Sequence, residues 1–199
     1  TRFPTFFPEK RSFFLENAGV FEFGNNPSTS LGNDTIRILP FFSRRIGLVG
    51  NQEVPILFGT KLTGKMGRTD LGLLDVRTRA TNLIDDKNLV VARIKQNVLR
   101  QSYVGALYMQ GNPGKPTSSR TFGGDVRLGT SNLGGHNRNL NVSAFALHDH
   151  NEGLSGDGMA YGLSAEYPND LVNTSVHWRD VQRNFQPALG FVSRSNVRF

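Results

Sequence analysis

The chain has 199 residues, a formal net charge of +7, no cysteine and an apolar fraction of 37%. That length covers one domain at about 150 residues per domain, or one plus a fragment, and suffices to bury a core. The composition excludes a disulfide scaffold and thiolate metal or redox sites, and no run of about 18 apolar residues is present to form a membrane-crossing helix.

The first 50 residues stand apart. Nine of the 15 Phe fall within the first 42 positions. Pro8 is placed to open a short helix with Glu9 in its first turn, and Phe13, Phe14 and Asn17 lie three to four apart on one face. Asn25 to Ser30 reads as a loop. Ile36 to Gly47 reads as a short extended segment that Pro40 bars from a central strand.

From about Val54 the pattern changes to segments of roughly ten residues with period-two alternation, bounded by turn residues. The expected strands are Phe58–Met66, Leu71–Thr78, Val90–Val98, Ser102–Met109, Phe122–Leu128, Leu140–His148, Met159–Tyr167, Val172–Arg179 and Phe185–Val192, about nine in all. Leu74 and Val76 oppose Asp75 and Arg77; Val90, Ala92 and Ile94 oppose Arg93 and Lys95; Phe122, Val126 and Leu128 oppose Asp125 and Arg127. Two architectures give this alternation. A soluble sandwich or barrel buries the apolar face, whereas a transmembrane barrel turns it to lipid and lines its lumen with the polar face. Full charges in mid-strand, glycines within strands and aromatics near strand ends favour the membrane reading.

In a barrel, the lumen-facing charges are Lys61, Lys65, Asp75, Arg77, Arg93, Lys95, Asp125, Arg127, Glu166, His177 and Arg179. Counting His177 as a cation, cations outnumber acids there by 8 to 3, a field that suits a small polar or anionic solute. The alternative role is a charge-compensated, wet wall. A second charged set is Glu9, Lys10, Arg11, Glu16, Arg44 and Arg45. It either plugs the barrel or ties the first 50 residues to the wall by ion pairs. His148 and His150 with Glu152 and Asp157 form the one metal-like cluster, but the run continues as an exposed loop, and no metal or other cofactor is expected. No nucleophile elbow, zinc-protease helix or phosphate loop is present. Asp75 and Asp125 each stand two residues from an Arg, which disfavours an acid role. Catalytic residues are therefore assigned to none. Nucleic acid is not expected as a partner either. The cations are mostly Arg, scattered from Arg2 to Arg198, and a nucleic-acid footprint would cluster them.

Thr1 to Asn17 resembles a hallmark of the DUF5916 family. Phe42–Gly47, Pro55–Gly67 with its Gly59-Thr-Lys-Leu-Thr-Gly64 core, Val91–Arg100 and Asn184–Arg194 are similar in collinear order over nearly the whole chain. Ser12 departs from the proline usual at its position, which relaxes the turn after Arg11. The resemblance implies a Gram-negative bacterium, an outer-membrane β-barrel region and an upstream carbohydrate-binding family 9-like domain. This chain would then be an internal piece of a larger barrel, its terminal Phe199 only coincidentally like that of outer-membrane proteins. The expectation is thus an all-β, antiparallel up-and-down transmembrane-type barrel segment. Residues 1–50 would lie inside or against it and residues 51–199 would form strands. The expected role is glycan uptake, porin-like passage or envelope scaffolding, with outer-membrane lipid and carbohydrate as partners. Some family members are labelled membrane-associated hydrolases, so a glycan-directed hydrolase stays open, as does a soluble β-sandwich binding module.

Overall fold

A computed structural model describes residues 6–24, 37–50, 52–82 and 84–198. Readings that rest on Thr1 to Thr5, on the 25–30 loop and on Phe199 lie outside them. A one-turn helix α1 (Ser12–Leu15) and a 3-10 turn (Ala18–Phe21) precede β1 (Ile38–Leu39), a 3-10 turn (Ser43–Arg45), β2 (Leu48–Val49) and β3 (Gln52–Glu53). Eight long strands follow: β4 (Ile56–Met66), β5 (Thr69–Thr78), β6 (Lys87–Asn97), β7 (Tyr103–Gln110), β8 (Ser119–Thr130), β9 (Leu140–Asn151), β10 (Met159–Pro168) and β11 (Asn173–Val181). Two short strands, β12 (Phe191–Val192) and β13 (Val197–Arg198), complete the set.

The strands β4 to β11 pair in sequence order, each antiparallel to the next, and β13 adds to β11. The result is one nine-stranded antiparallel sheet with β4 at one edge and β13 at the other, not closed into a barrel. Hairpin after hairpin is what period-two segments separated by short polar connections produce. The alternation located the eight long strands to within a few residues. It failed for Phe185–Val192, where only Phe191 and Val192 pair, and they pair with β1. Pro187 and Gly190 break that run, and a turn bond runs from the Gly190 N–H to the Pro187 carbonyl (2.9 Å).

The helix expected from Pro8 also differs. It starts at Ser12 and lasts one turn. Glu9 does not sit in its first turn. Its carboxylate folds back to accept from the Lys10 and Arg11 N–H groups (2.9 and 3.0 Å).

The two faces of the sheet have different fates. On the inner face, the N-terminal segment lies directly on the strands. Phe14, Phe21, Phe23, Ile38 and Ile46 form one core with Leu74, Val76, Leu89, Val91, Leu107, Met109 and Leu147, joined by Phe185 and Leu189 from the last segment. Gly72 makes room for this packing, because a Cβ there would press on Val20 and Phe21. Leu74 and Val76 were grouped by the alternation with the lipid-facing residues, but both are buried beneath this cover.

The outer face is different. The register aligns Leu62, Leu73, Ala92, Tyr108 and Phe122 in one row across β4 to β8. Val104, Val126, Ala144, Leu163 and Trp178 align in another across β7 to β11. Leu62, Ile94, Val104, Phe122, Leu163 and Val176 are all exposed, Val176 by 67%. Among the described residues no second sheet covers this face; the other two sheets have two strands each.

Candidate functional site

The inner face carries the charges, and its centre is a closed knot. Arg93 and Asp125 point inward from β6 and β8, with β7 between them. Their side chains meet in a two-pronged pair, Nη1 to Oδ1 at 2.7 Å and Nη2 to Oδ2 at 2.9 Å, both fully buried. The two meet over Gly105 of β7, where any Cβ would collide with the guanidinium and the carboxylate. The remaining polar atoms are taken by the N-terminal segment and by β7. Arg93 Nε donates to the Glu22 carbonyl (3.1 Å), the Gly24 N–H donates to Asp125 Oδ2 (2.9 Å), and the Tyr103 hydroxyl donates to the same oxygen (3.1 Å). The Phe23 ring lies under the Arg93 guanidinium at 5.0 Å. A buried pair is tolerated only when its lone pairs and protons are satisfied in this way.

The other predicted inner charges are placed as follows. Lys95 lies 3.8 Å from Asp70 and over the Tyr103 ring. Lys61 donates to the carbonyls of Phe13 and Glu16, pinning the end of α1 to β4. Lys65, Arg127, Glu166, His177 and Arg179 share the same face, Arg179 buried and paired in register with Gly162. Asp75 and Arg77 do not join them. They stand on the outer face, in the rows of Val90 and Asn88, and Arg77 pairs with Asp86 of the following connection (2.8 Å). Alternation alone could not reveal this, because the inner residues of β5 are the apolar ones and those of β6 include the charged ones.

The second predicted set splits. Glu9 and Arg11 form a fork (2.7 Å), Arg11 donates to the carbonyls of Ile46 and Ser43, and the Ser43 hydroxyl donates to Glu9. Burial raises the Glu9 carboxyl, but the bonds from Arg11, Ser43 and Lys10 outweigh it and hold it at about 2. Arg44 donates to the Pro8 carbonyl and Arg45 to that of Gly190. Lys10 is exposed, and the Glu16 contribution is its carbonyl rather than its carboxylate.

His148 and His150 share the outer face of β9, with His148 against the Phe122 ring. Among the described residues no group of three or more His, Asp or Glu could hold a metal ion.

One site escaped the sequence reading. At the end of the sheet where β4 begins, the connections 111–118 and 152–158 gather with residues 45–50 and with the segment after β11. They enclose a cleft of about 840 Å³ bounded by Arg45, Asn112, Lys115, Asn151, Glu152, Phe185, Gln186 and Arg194, among others. Its walls are tied together. The Ser118 N–H donates to Glu152 (2.9 Å), and the Glu152 N–H to the Ser118 carbonyl (3.1 Å). Buried Asp149 accepts from the Gln186 N–H (3.1 Å), Asn151 and Thr121. The lining runs from position 45 to position 195 of the chain, and only the folded chain brings these stretches to one end. Set against family models, curated proteins and solved structures, the chain finds no match.

Proposed function

We propose that this chain is a wall segment of a bacterial outer-membrane β-barrel protein with a glycan-linked role, uptake or scaffolding, in which the N-terminal segment lines the inner face. The observation that carries this reading is the outer face. Its apolar rows run unbroken across neighbouring strands, exposed, while Asp75, Arg77, Gln110, Arg120 and His150 are confined to the rim where β4 begins. Water would oppose so wide an apolar surface on a free monomer, whereas the hydrocarbon core of a bilayer favours it. Strands of 8 to 12 residues suit a tilted crossing, for which about 9–11 are needed. Several inner-face charges are compensated, Arg93 by Asp125, Lys95 by Asp70 and Lys61 by the carbonyls of Phe13 and Glu16. The carbohydrate link is supported by the resemblance to the DUF5916 family.

The absence of native cysteine makes the test direct. Single cysteines at Leu163, Ile94 and Leu147 are labelled with an environment-sensitive dye in detergent and reconstituted into vesicles that contain spin-labelled lipid. The labels at 163 and 94 are expected to be quenched by lipid and the label at 147 spared. A chain that stays monomeric and soluble without detergent, with all three labels unquenched, would overturn the membrane reading.

A further inference from the structure

We propose that the cleft at the end of the sheet where β4 begins is a binding site for a sugar acid, a short oligosaccharide carrying carboxylates. This deepens the glycan-linked role and rests on it. The cleft volume of about 840 Å³ falls within the range of about 300–1,000 Å³ typical of small-molecule sites. Among the described residues three cations line it, Arg45, Lys115 and Arg194, against one acid, Glu152. That acid is already engaged by the Ser118 N–H, so the local field favours an anion. The remaining polar lining is amide and hydroxyl, with Asn112 and Gln186 as examples, and it includes donors and acceptors that match sugar hydroxyls. Leu48 and Leu154, both exposed in the lining, supply apolar surface for the ring faces.

The site is also built in advance. Asn112 Oδ1 is held by the Gly114 N–H (3.1 Å), Asn151 donates to the Gln186 carbonyl (3.1 Å), and Arg45 Nε to the Gly190 carbonyl (3.0 Å). Walls cross-tied in this way lose little freedom when a ligand enters, which favours affinity. The cleft opens at the same end as the polar rim of the outer face, so in a bilayer it would face water.

Calorimetry on the full chain in detergent tests this, with three probes: a trimer of galacturonic acid, maltotriose and inorganic phosphate. The galacturonate trimer is expected to bind, more weakly as salt rises, and maltotriose and phosphate much less. Lys115→Glu, an exposed loop change, is expected to weaken the trimer about tenfold or more, with neutral Lys115→Gln intermediate. Arg138→Glu in the loop at the opposite end should leave binding unchanged. No heat with the trimer, equal binding of maltotriose or phosphate, or wild-type affinity in Lys115→Glu overturns the proposal. Circular dichroism checks that each variant is folded. The lipid-quenching experiment reads the barrel independently, so failure of one is distinguishable from failure of the other.

Discussion

At the scale of the residue, the Arg93–Asp125 pair is where most is at stake. Removing one partner leaves a charge buried under Phe23 with nothing to neutralise it, which typically costs about 3–5 kcal/mol. Asp125→Asn and Arg93→Met should each lower stability by about that much, read as a shift in the denaturation midpoint in detergent. The double replacement by apolar residues should recover much of the loss, because it removes both desolvated charges together. Gly105→Ala is the sharper probe, since it alters neither charge. Its methyl would intrude between guanidinium and carboxylate. A loss of about 1–3 kcal/mol is expected, and stability equal to the parent would contradict the close approach of the two side chains over β7. Both halves of the pair were visible as charges in alternating segments. Their partnership was not, because it depends on β7 running between them with a residue small enough to be bridged.

At the scale of the element, the N-terminal segment holds to the sheet by two devices of different character. One is apolar: Phe14 and Phe21 in the shared core. Replacing Phe21 by Ala should cost about 3–5 kcal/mol, the usual range for a buried Phe. The other is the Glu9 fork with Arg11, Ser43 and the Lys10 N–H, and it responds to pH. Glu9 is depressed from 4.5 to about 2 in the folded chain. Its contribution is therefore complete above about pH 4.5, declines as the pH falls and is gone once the pH passes below about 2. Hydrogen exchange of the backbone around residues 9–15 should accelerate across that window. In Glu9→Gln the exchange should already be faster at neutral pH and nearly flat over the same range. Equal slopes in the two proteins would mean that Glu9 is not the titrating group. The one-turn α1 shows why the sequence overestimated its helix. A Pro and a Glu at the right spacing signal a first turn, but here the Glu carboxylate has better partners in Arg11 and Ser43, the latter 34 residues away.

At the scale of the whole molecule, one sheet separates two environments. Its inner face is roofed by the chain's own first and last segments, and its outer face has no cover among the described residues. An Arg in place of Leu163, in the middle of the uncovered face, is expected to cost about 2–4 kcal/mol in a bilayer. In a soluble protein with that face in water, the same change would cost little. Folding titrations in vesicles of Leu163→Arg therefore separate the two settings. So does the contrast with Arg120→Leu at the rim, which should be near neutral. Among the described residues no further strand covers the edges at β4 and β13, a liability that a free monomer would show as aggregation.

The sequence by itself determined the eight long strands. Period-two alternation between Gly, Asn and Pro punctuation is a local property of the chain, so eight long strands and their antiparallel order could be read from it. It also located the charges. It did not determine which alternating set faces inward, because each strand offers two sets and nothing local chooses between them. Packing chose. Phe14, Phe21 and Phe23 settled on Leu74, Val76, Leu89 and Val91, and that fixed Arg93 and Asp125 inside and Asp75 and Arg77 outside. The cleft beside Lys115 was equally out of reach, since its walls come from four separated stretches that meet only when the hairpins are stacked in order. Burial and register are properties of the assembled sheet, and only the tertiary structure could decide them.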